Sequence, residues 1–292
     1  MNTTPSHRTV LITGASSGIG AALTRACTHR GWTVYAVARR ADRLHELFSQ
    51  DSHVHAITAD ISTESGCQQV VDALNGATVD ILVNNAGRGN YASVEDTSTE
   101  QWHSMFAVNV DGPFFLTRAL LPHMKQRNSG HIINISSVAG RQGFPLNAAY
   151  VAAKHAVVGF TAALRAELIG TGVHATVICP AGVLTEWGGV TEGGSINDLY
   201  GAAIPRSRTI ANERGLTLAP LSRMMTAEEV AEIILRAIDA GRVNDVFTHE
   251  GTLDLAAACV ADRIAVEDSH AALWLAMAEV YAEVYGEEHG KK

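Results

Sequence analysis

The sequence predicts an α/β fold, a three-layer, doubly wound parallel sheet of about seven strands in a single domain. Three observations carry that expectation. Short β-branched runs alternate with longer stretches of helical periodicity. A glycine-rich turn stands directly between the first run and the first helical stretch. Finally, the 292 residues are 47% hydrophobic and 18% charged, enough apolar material for one large core.

The runs are Thr9–Thr13, Thr33–Val37, Val54–Ile57, Ile81–Val83, His131–Ile135, His174–Ile178 and Asp245–Phe247. Strands buried on both faces are apolar throughout rather than alternating, and most of these are. Between them, Ala21 to His29 carries a 3.6-residue repeat that Gly31 stops, and Ala148 to Ile169 carries another that Gly170 and Gly172 stop. The stretch from Leu184 to about Leu221 is rich in Gly, Ser, Thr and Arg and weakly periodic, which predicts a long irregular segment covering a substrate. From Leu273, the residues Leu273, Trp274, Met277, Val280, Tyr281, Val284 and Tyr285 fall on one helical stripe. Ser269 is placed to cap that helix and Gly286 to stop it, within a helical extension spanning 253–286.

Composition excludes several functions. The net charge is −8 with no block of like charges, so the basic footprint of a nucleic-acid binder is missing. No run of about 18 apolar residues could span a bilayer, and the acidic face of the last helix, with Glu279, Glu283 and Glu287, disfavours an anionic lipid surface. Four cysteines without a CxxC pair fit a reducing, cytoplasmic setting, and the thirteen scattered histidines have no metal-ligand spacing.

The chemistry begins at Thr13-Gly14-Ala15-Ser16-Ser17-Gly18-Ile19-Gly20. After a strand and before a helix, such a turn binds a pyrophosphate: Gly14 permits the tight turn, Gly18 the close approach of backbone, and Gly20 tight helix–strand packing, while free N–H groups and the helix dipole favour the anion. The second strand ends in Ala38-Arg39-Arg40, where an acidic residue would bind a ribose 2′-hydroxyl but a guanidinium matches a 2′-phosphate. This points to NADP, with Ser16 able to add a hydroxyl. Asp60 closes the third strand and can accept from an adenine amino group. Asn84-Asn85-Ala86-Gly87 closes the fourth, with amides able to hold neighbouring strands and to touch a cofactor ribose.

Ser137 follows the fifth strand, Tyr150 lies thirteen residues later and Lys154 four beyond that. The four-residue step puts phenol and ammonium on one helix face, where a cation can lower the pKa of a phenol, ordinarily about 10, towards the useful range.

With TGASSGIG, NNAG, the Asn109-containing VNVDG, ISS, YVAAK and CPAGVLT in that order over residues 8 to 185, the chain resembles the short-chain dehydrogenase/reductase family in its shorter, single-domain branch, and so a Rossmann-type sheet. The resemblance implies that Tyr150 exchanges a proton with the substrate oxygen, that Ser137 hydrogen-bonds that oxygen, that Lys154 lowers the Tyr150 pKa and holds the nicotinamide ribose, and that Asn109 anchors a water feeding protons to Lys154. It also implies cofactor contacts at Ser17, Ile19, Asp60, Ile61, Asn85, Ala86, Gly87, Pro180, Val183 and Thr185. Two positions depart from the family. Its Pro-Gly appears as Pro180-Ala181-Gly182. Ser17 stands where many NADP-dependent members have Lys or Arg, which leaves Arg39 as the main argument for a phosphate and NAD as the alternative cofactor.

Beyond Thr185, Trp187 with the glycines at 188, 189, 193 and 194 suggests an aromatic wall on a closing segment, and Val138, Phe144, Leu146 and Asn147 suggest further pocket lining. Mostly apolar walls favour an uncharged, moderately hydrophobic ketone or aldehyde, or the corresponding alcohol. The expected function is NADPH-dependent carbonyl reduction. Its alternatives are an NAD-dependent secondary-alcohol dehydrogenase and a non-catalytic NADP-binding sensor. The family resemblance also implies a homodimer or homotetramer built on the long helices.

Overall fold

The computed structural model describes residues 7–189, 191, 194–241 and 243–289. The elements run β1 (Thr9–Thr13), α1 (Gly18–His29), β2 (Thr33–Ala38), α2 (Ala41–Phe48), β3 (Val54–Thr58), α3 (Glu64–Ala73), β4 (Ile81–Asn84), α4 (Thr99–Phe106), a π-helical stretch Ala107–Asp111, and α5 (Gly112–Gln126). They continue with β5 (Gly130–Ile135), α6 (Ala148–Glu167), β6 (Val173–Cys179), β7 (Val183–Leu184), α7 (Ile196–Arg214), β8 (Met225–Thr226), α8 (Ala227–Ala240), β9 (Val246–Phe247), α9 (Thr252–Ala261) and α10 (Arg263–His289).

All seven predicted strands form one parallel sheet in the order β3-β2-β1-β4-β5-β6-β9, and β7 pairs with β8 in a small second sheet. Alternation along the strands sorts their side chains onto two faces. Val10, Ile12, Val34 and Ala36 pack with Leu23, Val230, Ile234 and Leu235 under α1 and α8, while Leu11, Val37, Leu82 and Ile132 pack with Val70, Leu116 and Leu164 under α3, α5 and α6. Sequence order reverses between β1 and β4, so the turns at their carboxyl ends diverge and leave a crevice there.

Four expectations are corrected. The 184–221 stretch holds a helix, α7, of 19 residues. Its buried positions, Leu199, Ala203, Ser207, Ile210 and Ala211, do keep helical spacing, but two are alanine, one is serine, and Gly201 and Pro205 interrupt the run. Packing against Ala272, Leu273, Ala276, Met277 and Val280 of α10 sustains the helix. Ser269 does not cap the last helix: α10 begins at Arg263, the Asp262 carboxylate accepts from the Ala265 N–H (3.0 Å), and the Ser269 hydroxyl donates to the Val266 carbonyl. Gly286 does not stop it, because α10 continues to His289. Val284, predicted on the buried stripe, is 57% exposed, and the side chains of Tyr285 and Glu287 lie outside the described residues, as does Gly193. Among the described residues, no helix is long and apolar enough to cross a membrane.

Ile133 sits fully buried in β5 at the centre of the sheet. Ile133→Ala removes three heavy atoms from a site hemmed in by neighbouring strands, and the expected loss is about 2–5 kcal/mol, measured as a lowered midpoint of urea unfolding.

Candidate active site

The glycine-rich turn leaves β1 with Gly14 at φ +68° and Gly18 at φ +51°, conformations that favour glycine. A Cβ on Gly14 would lie 2.8 Å from the Cα of Ala86, and one on Gly20 would lie 2.4 Å from the Gly14 carbonyl oxygen. Backbone here is packed on backbone. Ser17 precedes α1 without a side-chain cap, so the first amides of that helix have no partner from a capping side chain. A cradle of this kind, walled by glycine and topped by helix N–H groups, fits the pyrophosphate of a dinucleotide. Ile19 closes the turn as a partly buried residue of α1, packed on the core.

Asn85 fastens the cradle to the fourth strand. Its Nδ2 donates to the carbonyls of Thr13 (2.8 Å) and Gly14 (3.4 Å), while the backbone N–H groups of Asn85 and Ala86 both donate to the Thr13 hydroxyl at 3.0 Å. Asn84 ties the next strand: it donates to Asn134 (2.8 Å), which donates to Thr161 on α6 (2.9 Å). The strand-binding role expected of the two amides is therefore divided, one towards β1 and one towards β5. Thr13, Asn134 and Thr161 complete this network and were not singled out by sequence reasoning, because single polar residues inside apolar runs give no local signal.

At the end of β2, Arg40 rather than Arg39 reaches the cradle. The Arg40 guanidinium donates to the Ser16 hydroxyl at 3.1 and 3.2 Å, whereas Arg39 faces Asp60 with Arg88. Burial pushes the Asp60 carboxyl up, but the N–H and hydroxyl of Ser62 and the two arginines outweigh it and hold the group below its ordinary range. Asp60 accepts from the Ser62 N–H at 3.0 Å, so it also serves as a turn residue, and Ile61 beside it is buried against Gly112. Glu186, missed in the sequence, meets Arg43 at 3.1 Å and Arg40 at 3.6 Å. Its one signal was a carboxylate directly beside Trp187 at the start of a Gly-rich stretch.

The second group of residues converges at the ends of β5 and β6. Ser137 adopts extended backbone after β5, and its hydroxyl donates to the Pro180 carbonyl (3.3 Å) and accepts from the Ala139 N–H (3.1 Å). Tyr150 lies in the first turn of α6, its hydroxyl hydrogen-bonded to Ser137. One turn on, buried Lys154 donates from Nζ to the Ile135 carbonyl at 3.0 Å and stands 5.5 Å from the Tyr150 ring centre. Burial pushes the phenol of Tyr150 up to about 12, with the Ser137 hydrogen bond opposing, and pushes Lys154 down to about 8. In this arrangement the Lys154 ammonium is engaged by the Ile135 carbonyl and faces the Tyr150 ring, and desolvation is the largest influence on both groups.

Asn109 sits in the π-helical stretch and is buried. Its Nδ2 donates to the carbonyls of Arg88 (3.0 Å) and Met105 (2.9 Å), and Oδ1 has no hydrogen-bond partner among the described residues. A Cβ on Gly87 would fall 2.6 Å from that Oδ1 and 3.3 Å from Lys154 Nζ, so glycine keeps a small polar space open between them.

The covering segment completes the site. Thr185 packs on Gly18, its Cγ2 3.0 Å from where a Cβ would stand, and its hydroxyl accepts from the Trp187 N–H. The Trp187 ring lies 5.3 Å from that of Tyr150, tilted by 47°, and presses on Gly89. Phe144 is half-buried in the loop ahead of α6 and has no aromatic partner among the described residues. Pro180 is buried and Val183 partly buried on β7, behind the Ser137 end of the crevice.

Residues 8–192 match the profile of the short chain dehydrogenase family. The ketoacyl reductase HetN of a Nostoc species is 35% identical over 211 residues, which cover 70% of this chain and 74% of that protein. Among solved structures, the closed form of a serine dehydrogenase complexed with NADP+ aligns with a TM-score of 0.69 and 31% identity over 84% of this chain and 95% of its own. A short-chain dehydrogenase/reductase from Burkholderia phymatum in complex with NAD aligns at 0.72 and 27%, covering 89% and 95%. The profile match takes in the glycine-rich turn, Asn84 and Asn85, and the Tyr150 helix. This chain is therefore a member of the short-chain dehydrogenase/reductase family, an NAD(P)-dependent oxidoreductase acting on CH–OH groups.

Proposed function

We propose that the protein is an NADPH-dependent reductase of uncharged, moderately hydrophobic ketones or aldehydes, reversible to alcohol oxidation. The observation that carries this reading is the meeting of Ser137, Tyr150 and Lys154 under the Trp187 ring, at the end of a crevice whose other end presents Arg40 and Ser16.

Gly14, Ser16, Ser17, Gly18, Ile19 and Gly20 hold the pyrophosphate and its flank, and Arg40 with Ser16 takes the 2′-phosphate. Arg39, Asp60, Ile61, Asn85, Ala86 and Gly87 form the adenosine side. Pro180, Val183, Thr185 and Lys154 hold the nicotinamide half. When bound, the nicotinamide supplies a hydride to the carbonyl carbon. Ser137 Oγ orients the substrate oxygen, and Tyr150 Oη gives that oxygen its proton. Lys154 Nζ then returns a proton to Tyr150, and Asn109 Oδ1 orders the polar path by which Lys154 is recharged. Trp187 excludes water from the reacting atoms and, with Phe144, provides the apolar wall that selects the substrate.

The cofactor reading rests on charge. A 2′-phosphate offers a dianion to Arg40, Arg43 and Ser16, whereas Glu186 offers a single carboxylate to the same two guanidinium groups. The two compete for one place. The serine dehydrogenase complexed with NADP+ supports the phosphate reading, and the Burkholderia phymatum neighbour in complex with NAD keeps the second reading, an NAD-dependent dehydrogenase, in view. A homo-oligomer built on α5 and α6 is supported by Phe114, 41% exposed on α5 and packed edge-on against Phe160 of α6.

The reading is tested by following NADPH and NADH oxidation with a panel running from small aldehydes and diketones to aryl, cyclic and acyl-thioester ketones. Turnover of one class is expected. Silence with both cofactors, in protein that binds NADPH, would instead favour a binding-only role. Tyr150→Phe is expected to abolish turnover while NADPH affinity, measured by fluorescence titration, stays within about twofold, since only the proton donor is removed. Arg40→Ala is expected to weaken NADPH binding by about 10–100-fold, the worth of a charged hydrogen bond, and to leave NADH unchanged. Glu186→Gln is expected to tighten NADPH alone. Reduction needs protonated Lys154, so its turnover is expected to fall as pH rises past about 8 in a pH–rate profile.

A further inference from the structure

His249 follows β9 in the short loop ahead of α9 and is 5% exposed. Its ring faces the Pro180-Ala181-Gly182 turn, and the partners there fix its tautomer. The Ala181 N–H, 3.2 Å from Nδ1, can only donate, so Nδ1 carries a lone pair. The Gly182 carbonyl, 2.8 Å from Nε2, can only accept, so Nε2 carries the proton. The Thr248 hydroxyl, 2.7 Å from Nδ1, therefore donates to the ring as well. A charged imidazole has two donors and no acceptor, so it cannot keep the bond from Ala181.

The turn is held from its other side by the catalytic end of the crevice. The Pro180 carbonyl accepts from the Val138 N–H at 2.9 Å and from the Ser137 hydroxyl at 3.3 Å, and the Gly182 carbonyl also accepts from Met225 in β8 at 3.0 Å. Three residues beyond Gly182, Thr185 packs on Gly18 of the glycine-rich turn. A side chain 67 residues downstream of Gly182 thus holds two consecutive residues, Ala181 and Gly182, between Ser137 and the cofactor cradle.

We propose that His249 is a positioning residue whose neutral ring pins Ala181 and Gly182, holds the Pro180 carbonyl against Ser137, and presents Val183 and Thr185 to the nicotinamide half of NADPH. Protonating the ring releases the Ala181 N–H and loosens the turn, so NADPH affinity falls on acidification. This inference rests on the cofactor reading above. The charged groups facing the ring are Arg223, ahead of β8, and Glu229 on α8, which are paired with each other at 2.9 Å, and Glu250 follows in the chain. Burial favours the neutral ring, the Gly182 carbonyl opposes it, and Arg223 and Glu229 pull in opposite directions; the net effect lies below the ordinary 6.5. The ring is therefore held towards its neutral form, and acidification is the direction in which affinity is lost.

The experiment is NADPH titration by nicotinamide fluorescence between pH 5 and pH 8 with the wild type, His249→Gln and His249→Ala. The glutamine amide restores an N–H near the Nε2 position and does not titrate. The wild type is expected to lose affinity on the order of tenfold on the acid side, the worth of about one hydrogen bond, His249→Gln to bind well without that loss, and His249→Ala to bind on the order of tenfold more weakly at every pH. An acid loss retained by His249→Gln, or alanine binding as tightly as histidine, would overturn the proposal. Two readouts need no cofactor and separate this inference from the reading beneath it. The ring nitrogen resonances at neutral pH are expected to show bare Nδ1 and protonated Nε2, and the Ala181 amide is expected to exchange faster with solvent in His249→Ala. The opposite tautomer, or unchanged exchange, would overturn the proposal even if no nucleotide bound. Should the alanine variant fail to fold, the glutamine pH profile and the wild-type ring resonances decide it.

Discussion

The clasp between Asn85 and the turn after β1 is the constraint on which the crevice depends. Parallel strands β1 and β4 are neighbours, but the chain departs from them towards opposite sides, and nothing in the ladder of either strand holds their carboxyl ends in register beyond Ile12 and Val83. Asn85 supplies that hold by donating to two successive carbonyls of the turn, while Thr13 returns the bond by accepting from two successive amides. With the turn fixed, Gly14 and Gly20 can pack with backbone on backbone, and the start of α1 is aimed at one point in space. Asn84 extends the same logic sideways through Asn134 to Thr161, so the helix that carries Tyr150 and Lys154 is tied by hydrogen bonds to β4, the strand whose following residue, Asn85, clasps the cradle.

Burial is the second organising force, and it works against the charges the chemistry needs. Lys154 is held in the protein interior by one carbonyl, and Tyr150 is shut beneath an indole ring, so each leans towards its neutral form. A neutral phenol is the correct state for giving a proton to a carbonyl oxygen. An amine whose pKa lies near 8 exchanges protons readily close to neutrality, as a lysine titrating at 10.5 would not. Desolvation thus draws both groups towards their neutral forms, with the ammonium facing the ring of Tyr150 and bonded to a carbonyl.

Most of the sheet was legible because both faces of its inner strands are buried, which makes those strands largely apolar runs. The glycine-rich turn and the Tyr150–Lys154 step were legible because each is local, its chemistry set by residues within one turn of one another. What was hidden depends on packing between distant segments. Helix α7 has a buried face in which alanine and serine outnumber leucine and isoleucine and a proline within it, so its periodicity is faint until α10 is laid against it. Asp262, rather than Ser269, caps α10 because α9 and α10 form a hairpin whose corner lies before the apolar stripe. Arg39 and Arg40 look equivalent in the chain, and only the direction in which each leaves β2 sends one to Ser16 and the other to Asp60.

The last helix also gives the molecule an order of assembly. Tyr91, in the loop that leads from β4 towards Trp187, packs edge-on against Tyr281 of α10, and the Tyr281 hydroxyl donates to Asp96 at 3.0 Å. Helix α7, directly after the covering segment, rests on the same stretch of α10. The segment around Trp187 is therefore underpinned by a helix remote from it in sequence. A folding chain can lay down β1 to β6 and the glycine-rich turn from contacts among those elements before that segment has anything to lean on. The order is set by separation along the chain: the turn after β1 closes among near neighbours, while the segment around Trp187 waits for α10 to dock.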